Sequence, residues 1–546
     1  MTHRTARPPS RPPSDRGTAR SWPGPALWAL FAGTAVVSSV LVLRRPGWER
    51  LSDLHIYRGA VRHLQAGHPL YDYAAPNGGP FTYPPFAALL LGPIGPVPER
   101  VVQLVWLALT CAAVAAIAMV TGRALGRPDR RAVIVPAIAC ALMVSAPAQS
   151  NLRFGQVSVF VVLLALVDGV GLTPARYRGV LVGLAAAIKL TPLLFLVFFL
   201  FSRRYRDAVR AGVTFLACAA LGAVVLPADS WTFWAGTVLN TDRVGNLASL
   251  GNQSVHGMLL RAGVDGGTLP LLWAALVLVI CGLALLRARQ LQFAGHGTHA
   301  AVLVGCATVA ASPVSWTHHQ IWPVLAAMLL IGAYGIARRV AGMMLLTVLV
   351  FSLGVLLGDV ALTPGMQFLF ENSRSFAVIT VCVTGFGGLT VAAVVAGRRT
   401  SAARGWLRVG TAATVAIAFF AVQPLPAGAD PTFKAYALTD VPNPRYFFVC
   451  RSRTQCAEFG AGAPIRFGRA TEPTKVRISG VVDATIHRLE YRSAPGGAAR
   501  DIPLLPVYPG QWLFSFRSAS LAHGQLTAYG VDGRPIATYG SELQGG

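Results

Sequence analysis

Residues 179–201 read GVLVGLAAAIKLTPLLFLVFFLF. The run is long enough for a bilayer, where about 20 apolar residues make one helical span. Lys189, Thr191 and Pro192 interrupt it near the middle. Two readings follow, because proline kinks or ends a helix and a broken helix is tolerated in a membrane where it lines a cavity. Either the run is one kinked span, or it is two half-helices that turn back at the Lys-Leu-Thr-Pro step. The choice sets the side on which every later segment lies. No acid occurs between Asp168 and Asp207. The Lys189 ammonium therefore snorkels to an interface, or a distant helix or an anionic ligand compensates it.

The surrounding chain has the same character. It has 546 residues, 54% hydrophobic and only 13% charged, with a mean hydropathy of +0.54. A water-soluble protein of this size does not carry so much apolar surface, so the composition predicts an all-α polytopic membrane body. Apolar segments lie at 26–43, 101–122, 132–147, 157–172, 208–226, 268–287, 300–313, 321–337, 341–358, 376–396 and 409–425. With 179–201 they predict about 11–13 transmembrane helices. Residues 86–96 are apolar but too short to span and carry Pro93 and Pro96, which suits the interface. Arg44-Arg45-Pro46 follows the first segment where a signal peptide would have small residues for cleavage, so that segment reads as a retained span.

The net charge of +25 comes from 47 Lys and Arg against 22 Asp and Glu. The basic residues are scattered through inter-helix segments, which argues for topology and against nucleic acid. Clusters at Arg123–Arg131, Arg176/Arg178, Arg203–Arg210, Arg287/Arg289, Arg338/Arg339 and Arg398–Arg408 share one side if 179–201 is a hairpin. By the positive-inside tendency that side is cytoplasmic, with Arg44-Arg45 the one pair misplaced. This reading makes residues 1–25 a disordered cytoplasmic tail ahead of a membrane domain at 26–425. Residues 44–100, 148–156, 227–267, 314–320, 359–375 and everything after about 426 then lie outside.

Residues 427–546 are soluble in composition, with strand-like runs at 475–483, 485–493, 512–518, 524–531 and 535–539 and a tight turn at Asp532-Gly533. They predict an extracytoplasmic β-sandwich. Six cysteines sit in apolar runs and read as small buried hydrophobes. Cys450 and Cys456 lie in this external region, where a disulfide is permitted. No Cys/His spacing marks a metal site, and the neighbouring His318 and His319 would point about 100° apart on a helix.

The polar signatures gather on the outer side. The loop LSDLHIYRGAVRHLQAGHPLYDYAAPNGGPFTYPPF at 51–86 holds Tyr57, Tyr71 and Tyr83, with Asp53 and Asp72 its only acids. Aromatic rings with a nearby carboxylate suit a sugar and an activated hydroxyl. Equally, Ser52 or Asp53 is placed to cap a helix that runs to about Gln65 and stops at Gly67. Three further outer mouths follow: Asn151, Arg153 and Gln156; Asn252, Gln253, His256 and Arg261; and Ser315, Trp316, His318 and His319.

Taken together, SDLHIYRGAVRHLQAGHPLYDY, FTYPPFAALLLGPIGPVP, FGQVSVF, AIKLTPLLF, GNQSVHGMLLR and SPVSWTHHQIW resemble glycosyltransferase family 87 over roughly residues 26–425. That family contains polyprenyl-phosphate-mannose-dependent α-1,2-mannosyltransferases of actinobacterial envelopes and belongs to the GT-C superfamily. Two departures stand out: Ser158 where the pattern has Asn, and Thr317 where it has Asp.

The resemblance implies that Asp53 is the catalytic carboxylate, with Asp72 as fallback. The chemistry is one displacement at the anomeric carbon: Asp53 takes the acceptor proton while a polyprenyl phosphate departs. General-base help is worth on the order of 10²–10⁴ in rate. Lys189, Arg153, Arg261 and His318 are the candidates for the donor phosphate. Tyr57, Tyr71, Tyr83, Gln156, Asn252, Gln253, Trp316 and His319 are those for the sugar substrates. The implied partners are a lipid-linked sugar donor, a glycolipid or glycan acceptor and membrane lipids, with no cofactor. Transfer of arabinofuranose is the alternative within the family. A secondary transporter is the alternative outside it, but does not require a long aromatic external loop.

Overall fold

The computed structural model describes residues 23–45, 50–75, 79–125, 130–240, 247–264, 266–333, 335–351, 353 and 363–386, and in the tail 447–452, 455–459, 465–471, 476–483, 485–494, 497–502, 504–508, 511–518 and 524–540. The expected N-terminal tail (but for its last residues), the expected span at 409–425 and the basic cluster at Arg398–Arg408 lie outside those residues.

The first helices are α1 (Pro23–Leu43), α2 (Ser52–Gln65), α3 (Pro85–Leu91), α4 (Glu99–Gly122), α5 (Arg131–Val144), α6 (Ala146–Phe154) and α7 (Ser158–Val170). Next come α8 (Val180–Ile188), α9 (Leu193–Phe201), α10 (Tyr205–Val225), α11 (Pro227–Thr232) and α12 (Val255–Arg261). The helical body continues with α13 (Thr268–Phe293), α14 (Gly297–Ala311), α15 (Ile321–Ile331), α16 (Ile336–Val350), α17 (Pro364–Glu371) and α18 (Ser373–Thr384).

Among the described residues, α1, α4, α10 and α13 are long and apolar enough to cross a bilayer, and α5 with α6, bent by 62°, makes a fifth candidate. Only 22% of the apolar window of α1, 17% of that of α10 and 22% of that of α13 is buried in protein. Faces so apolar and so bare need hydrocarbon as solvent, and the chain is a polytopic membrane protein. The expectation of about 11–13 crossings counted every apolar run. Among the described residues, several of those runs form shorter helices that the length criterion does not count. α14 is 15 residues long, with Ala300–Ala310 buried throughout, and α15 is 11 residues long. At about 1.5 Å per residue neither covers a 30 Å hydrocarbon core by itself.

The run at 179–201 turns back on itself. Asp168, fully buried at the end of α7, accepts hydrogen bonds from Gly179 N at 2.8 Å and Val182 N at 3.1 Å, and so caps the start of α8. Arg204, just past the end of α9, reaches the same place: its guanidinium donates to the carbonyls of Asp168 at 3.0 Å and Gly169 at 2.7 Å. It is also paired with Asp207. The two outer ends of α8 and α9 thus meet at one clasp, while Lys189, between them, reaches Ser158 at the far end of α7. Two antiparallel half-helices satisfy this and one kinked span does not. Gly183 lets α10 lie against α8, since a Cβ there would stand 2.4 Å from the Ala211 carbonyl oxygen. At the tip Lys189 is extended (φ −151°, ψ 122°), and Pro192 precedes α9.

The tail folds as β1 (Phe447–Ser452), β2 (Gln455–Phe459), β3 (Ile465–Thr471), β4 (Val476–Asp483), β5 (Arg488–Arg492), β6 (Ala499–Ile502), β7 (Leu505–Tyr508), β8 (Gln511–Ser518), β9 (Gln525–Tyr529) and β10 (Pro535–Tyr539). β1 and β2 form a ribbon; the rest form two four-stranded antiparallel sheets, ordered β3-β4-β8-β7 and β10-β9-β5-β6. Ile478, Val482 and Phe514 from one sheet and Leu489, Tyr491, Leu526 and Ala528 from the other share one small core. Period-two alternation produces this: in β9, Leu526 and Ala528 point inward between more exposed neighbours. The expected turn holds, with Gly533 at φ +72°. The register sets Cys450 opposite Cys456 in the ribbon; their side chains lie outside the described residues.

Candidate active site

Asp53 stands in the first turn of α2. The helix begins at Leu51, held at φ 49° with no side-chain cap, so neither Ser52 nor Asp53 serves as the N-cap. Two contacts hold that start. Leu51 N donates to the Arg153 carbonyl at 2.9 Å, and Leu51 and Leu54 pack on the turn between α6 and α7 at Gly155. Gly155 has φ +66°, and a Cβ there would lie 2.8 Å from Leu54 Cβ. Glycine is needed for both reasons. The next residue, Gln156, is thereby aimed at Asp53 and donates through Nε2 to Asp53 Oδ2.

Three donors and acceptors orient that amide. Tyr83 Oη donates to Gln156 Oε1 at 3.1 Å and Ser158 Oγ donates to it at 3.2 Å. Tyr57 Oη is 3.0 Å from Tyr83 Oη. Burial raises both phenols well above their ordinary range, so they remain protonated donors. Ser158 Oγ in turn accepts from Lys189 Nζ at 3.1 Å. The second anchor of that ammonium is His319 Nε2 at 2.7 Å. An ammonium can only donate, so His319 Nε2 is the acceptor of this bond. Two of three ammonium donors are committed in this way, and the Tyr83 ring face lies 5.4 Å from Nζ.

His318 and His319 lie on a 3₁₀ turn, Thr317–His319, seated from two sides. Asn151 Nδ2 donates to the His318 carbonyl at 2.8 Å, and Arg374 donates to Thr317 Oγ1 at 3.1 Å. The His318 ring is buried, and neither of its nitrogens has a partner among the described residues. The residue is part of the lining of the adjoining cavity.

That cavity holds about 480 Å³. Asp53, Tyr57, Tyr83, Gln156, Lys189, Trp316, His318 and His319, all expected at the site, line it together. The lining also holds apolar Leu190, Leu194, Phe233, Val238 and Ala311, together with Thr191, Thr237, Asn240, Thr308 and Ser312. It therefore offers both hydrogen-bonding groups and hydrocarbon surface to a ligand. Phe233 belongs to a π-helical turn, Phe233–Thr237, which carried no recognisable signal in the sequence.

Five expected site residues are elsewhere. Arg261 is spent on the fold: its guanidinium binds Asn372 Oδ1 at 2.6 and 3.0 Å and the carbonyls of Ser249 and Asn252. Asn252 bonds the backbone of Leu247, Pro313 and Ser315, and Gln253 that of Leu250, Glu371 and Ser375. Their polar groups satisfy loop backbone instead of facing the cavity. Arg153 lies over the Phe154 ring at 5.0 Å and is not in the lining. Tyr71 stands one layer back, donating to the Tyr83 carbonyl at 2.7 Å and stacking on Phe233. Asp72 is also outside the lining. Among the described residues no cluster of three or more His, Cys, Asp or Glu could hold a metal ion.

Comparison with known proteins fits this arrangement. A polyprenol-phosphate-mannose-dependent alpha-(1-2)-phosphatidylinositol mannoside mannosyltransferase of Mycobacterium tuberculosis is 34% identical over 306 residues, 53% of this chain and 71% of that protein. The enzyme of the same description from Mycolicibacterium smegmatis is 33% identical over 315 residues, 51% of this chain and 71% of that one. A polyprenol-phosphate-mannose-dependent alpha-(1-2)-phosphatidylinositol pentamannoside mannosyltransferase of M. smegmatis is 32% identical over 296 residues, 52% and 72% of the two chains. No solved structure matches. The model of Glycosyltransferase family 87 matches residues 81–313, an interval that holds Tyr83, Gln156, Ser158 and Lys189, while Asp53 and the two histidines flank it. With relatives at this identity over more than two thirds of their length, the chain belongs to glycosyltransferase family 87 and is a glycosyltransferase.

Proposed function

We propose that the protein transfers mannose from a polyprenyl-phosphate donor to a hydroxyl of a cell-envelope glycolipid or glycan, on the outer face of the membrane. The observation that carries this is the meeting of Asp53 and Lys189 on one cavity whose lining also includes apolar side chains. The prenyl chain lies along Leu190 and Leu194, and the phosphate meets the remaining Lys189 donor and the open His318 ring. The acceptor hydroxyl gives its proton to Asp53 as its oxygen bonds to the anomeric carbon. The bond from that carbon to the phosphate oxygen breaks, the configuration inverts, and the phosphate leaves as an anion that needs positive charge but no acid. Mannose is preferred over arabinofuranose because the similar proteins are described as using polyprenol-phosphate-mannose.

In this reading the N-terminus is cytoplasmic, and the hairpin tip, the cavity and the β tail are on the opposite side. A hairpin at 179–201 is the parity that gathers the basic clusters on one face. The test is transfer by membranes containing the protein from labelled polyprenyl-phosphate mannose and, separately, polyprenyl-phosphate arabinose. Label must move from the mannose donor, and Asp53→Asn must abolish it. Transfer from arabinose alone would reassign the sugar, and transfer from neither would remove the reading.

A further inference from the structure

We infer that Ser158 is a positioning residue that couples the two ends of the site: its hydroxyl holds the Lys189 ammonium and, through Gln156, the Asp53 carboxylate. The inference rests on the proposed roles of Lys189 and Asp53 and adds a residue to which the expected site assigned no part. Ser158 is absent from the lining of the main cavity, so it acts through its neighbours and not on a substrate.

The hydroxyl has one proton and two lone pairs, and its neighbours fix how they are used. Lys189 has only donors, so Ser158 Oγ accepts from Nζ at 3.1 Å. Gln156 turns its oxygen toward Ser158 and Tyr83 and its nitrogen toward Asp53. The Ser158 proton therefore goes to Gln156 Oε1. A directed chain results, from Lys189 Nζ through Ser158 Oγ and Gln156 to Asp53 Oδ2, and hydrogen bonds in such a chain strengthen one another. Replacing the hydroxyl with a methyl removes one of the two anchors of the ammonium and one of the two donors that orient the Gln156 amide. Both effects fall on reacting groups, yet α7 retains its helix start, which is Val157 and uses no side-chain cap.

A void of about 30 Å³ borders Ser158, with Lys189, Thr191, Ser315 and His319 among its walls. A water there could substitute for a deleted hydroxyl, so alanine is a poor probe. Thr and Val have nearly the same shape, and one carries a hydroxyl where the other has a methyl. The experiment compares Ser158→Thr with Ser158→Val in membranes at matched protein level, with full titrations of labelled polyprenyl-phosphate mannose. Inhibition by sugar-free polyprenyl phosphate is measured alongside.

Ser158→Val is expected to weaken polyprenyl phosphate inhibition and raise the donor KM by about tenfold, the loss expected for one hydrogen bond to a charged group. It should also lower kcat as Gln156 loosens from Asp53. Ser158→Thr is expected to stay near wild type in all three. A residue that only supports folding would change the amount of protein and leave KM and the inhibition constant unchanged. Equal constants for the two variants, with wild type active, would overturn the role of Ser158. An inactive wild type would instead count against the transfer reaction itself.

Discussion

Asp53→Asn separates the chemistry of the site from its architecture. The Gln156 amide is held by Tyr83 and Ser158 so that its N–H points at residue 53. An asparagine must turn its own oxygen to that N–H, and its NH₂ then faces the cavity where the carboxylate stood. If it turns the other way, two N–H groups oppose each other. In the favourable orientation one charge-assisted hydrogen bond becomes a neutral one, a cost of about 1 kcal/mol, so the protein still folds and inserts. At the acceptor hydroxyl, however, a proton acceptor is replaced by a donor. The expected loss in kcat is about 10²–10⁴, or roughly 3–5 kcal/mol of barrier, with donor KM little changed because Lys189 and His318 are untouched. The assay is initial-rate transfer from labelled polyprenyl-phosphate mannose at equal protein level, with a thermal scan of both proteins. Activity within about threefold of wild type would refute Asp53 as the base.

Lys189→Met should raise the donor KM and lower kcat, while Lys189→Arg should be impaired less but not neutral, since a guanidinium is wider and rigid; wild-type donor titrations for the Met variant would place the phosphate elsewhere. Gly155→Ala puts a Cβ against Leu54 and Leu51 in a left-handed backbone, at a cost of roughly 2–4 kcal/mol from the φ strain and overpacking together. A lower Tm and a fall in kcat are expected as α2 is pushed from Gln156; an unchanged scan would show that α2 does not rest on this turn. Cys450 and Cys456, opposite in register, should be bonded in protein isolated without reductant, as cross-strand Cα spacing falls in the disulfide range, and mass spectrometry with alkylation reads this directly. A reporter active only in the cytoplasm should be silent when fused after residue 546, and a signal there would reverse the orientation.

The sequence was most legible where one local rule acts alone. The end of α2 followed from Gly67, and the five expected strands from their alternation; the start of α2 depends on Leu51 and its contact with Arg153, which no local rule showed. Lys189 stood out because an ammonium in an apolar run has to be compensated. Arg261, Asn252 and Gln253 misled for a physical reason. A polar side chain at a helix mouth bonds either a ligand or the carbonyls of its own loop, and composition is the same in both cases. Ser158 was visible only as a departure from a pattern; its part in the site depends on Lys189 and Gln156 meeting it from different elements.

The clasp at Asp168 and Arg204 also makes the α8–α9 hairpin a ruler. Each arm has nine residues, about 13.5 Å of rise, so the ammonium is set at a fixed height above the clasp, less than half of a 30 Å hydrocarbon layer. Adding one turn to both arms would lift Lys189 by about 5 Å, and removing one would sink it as far. The height of the one lysine in this apolar run is therefore written in the residue count of two short arms, and a change in that count is a way to move the charge without changing any group around it.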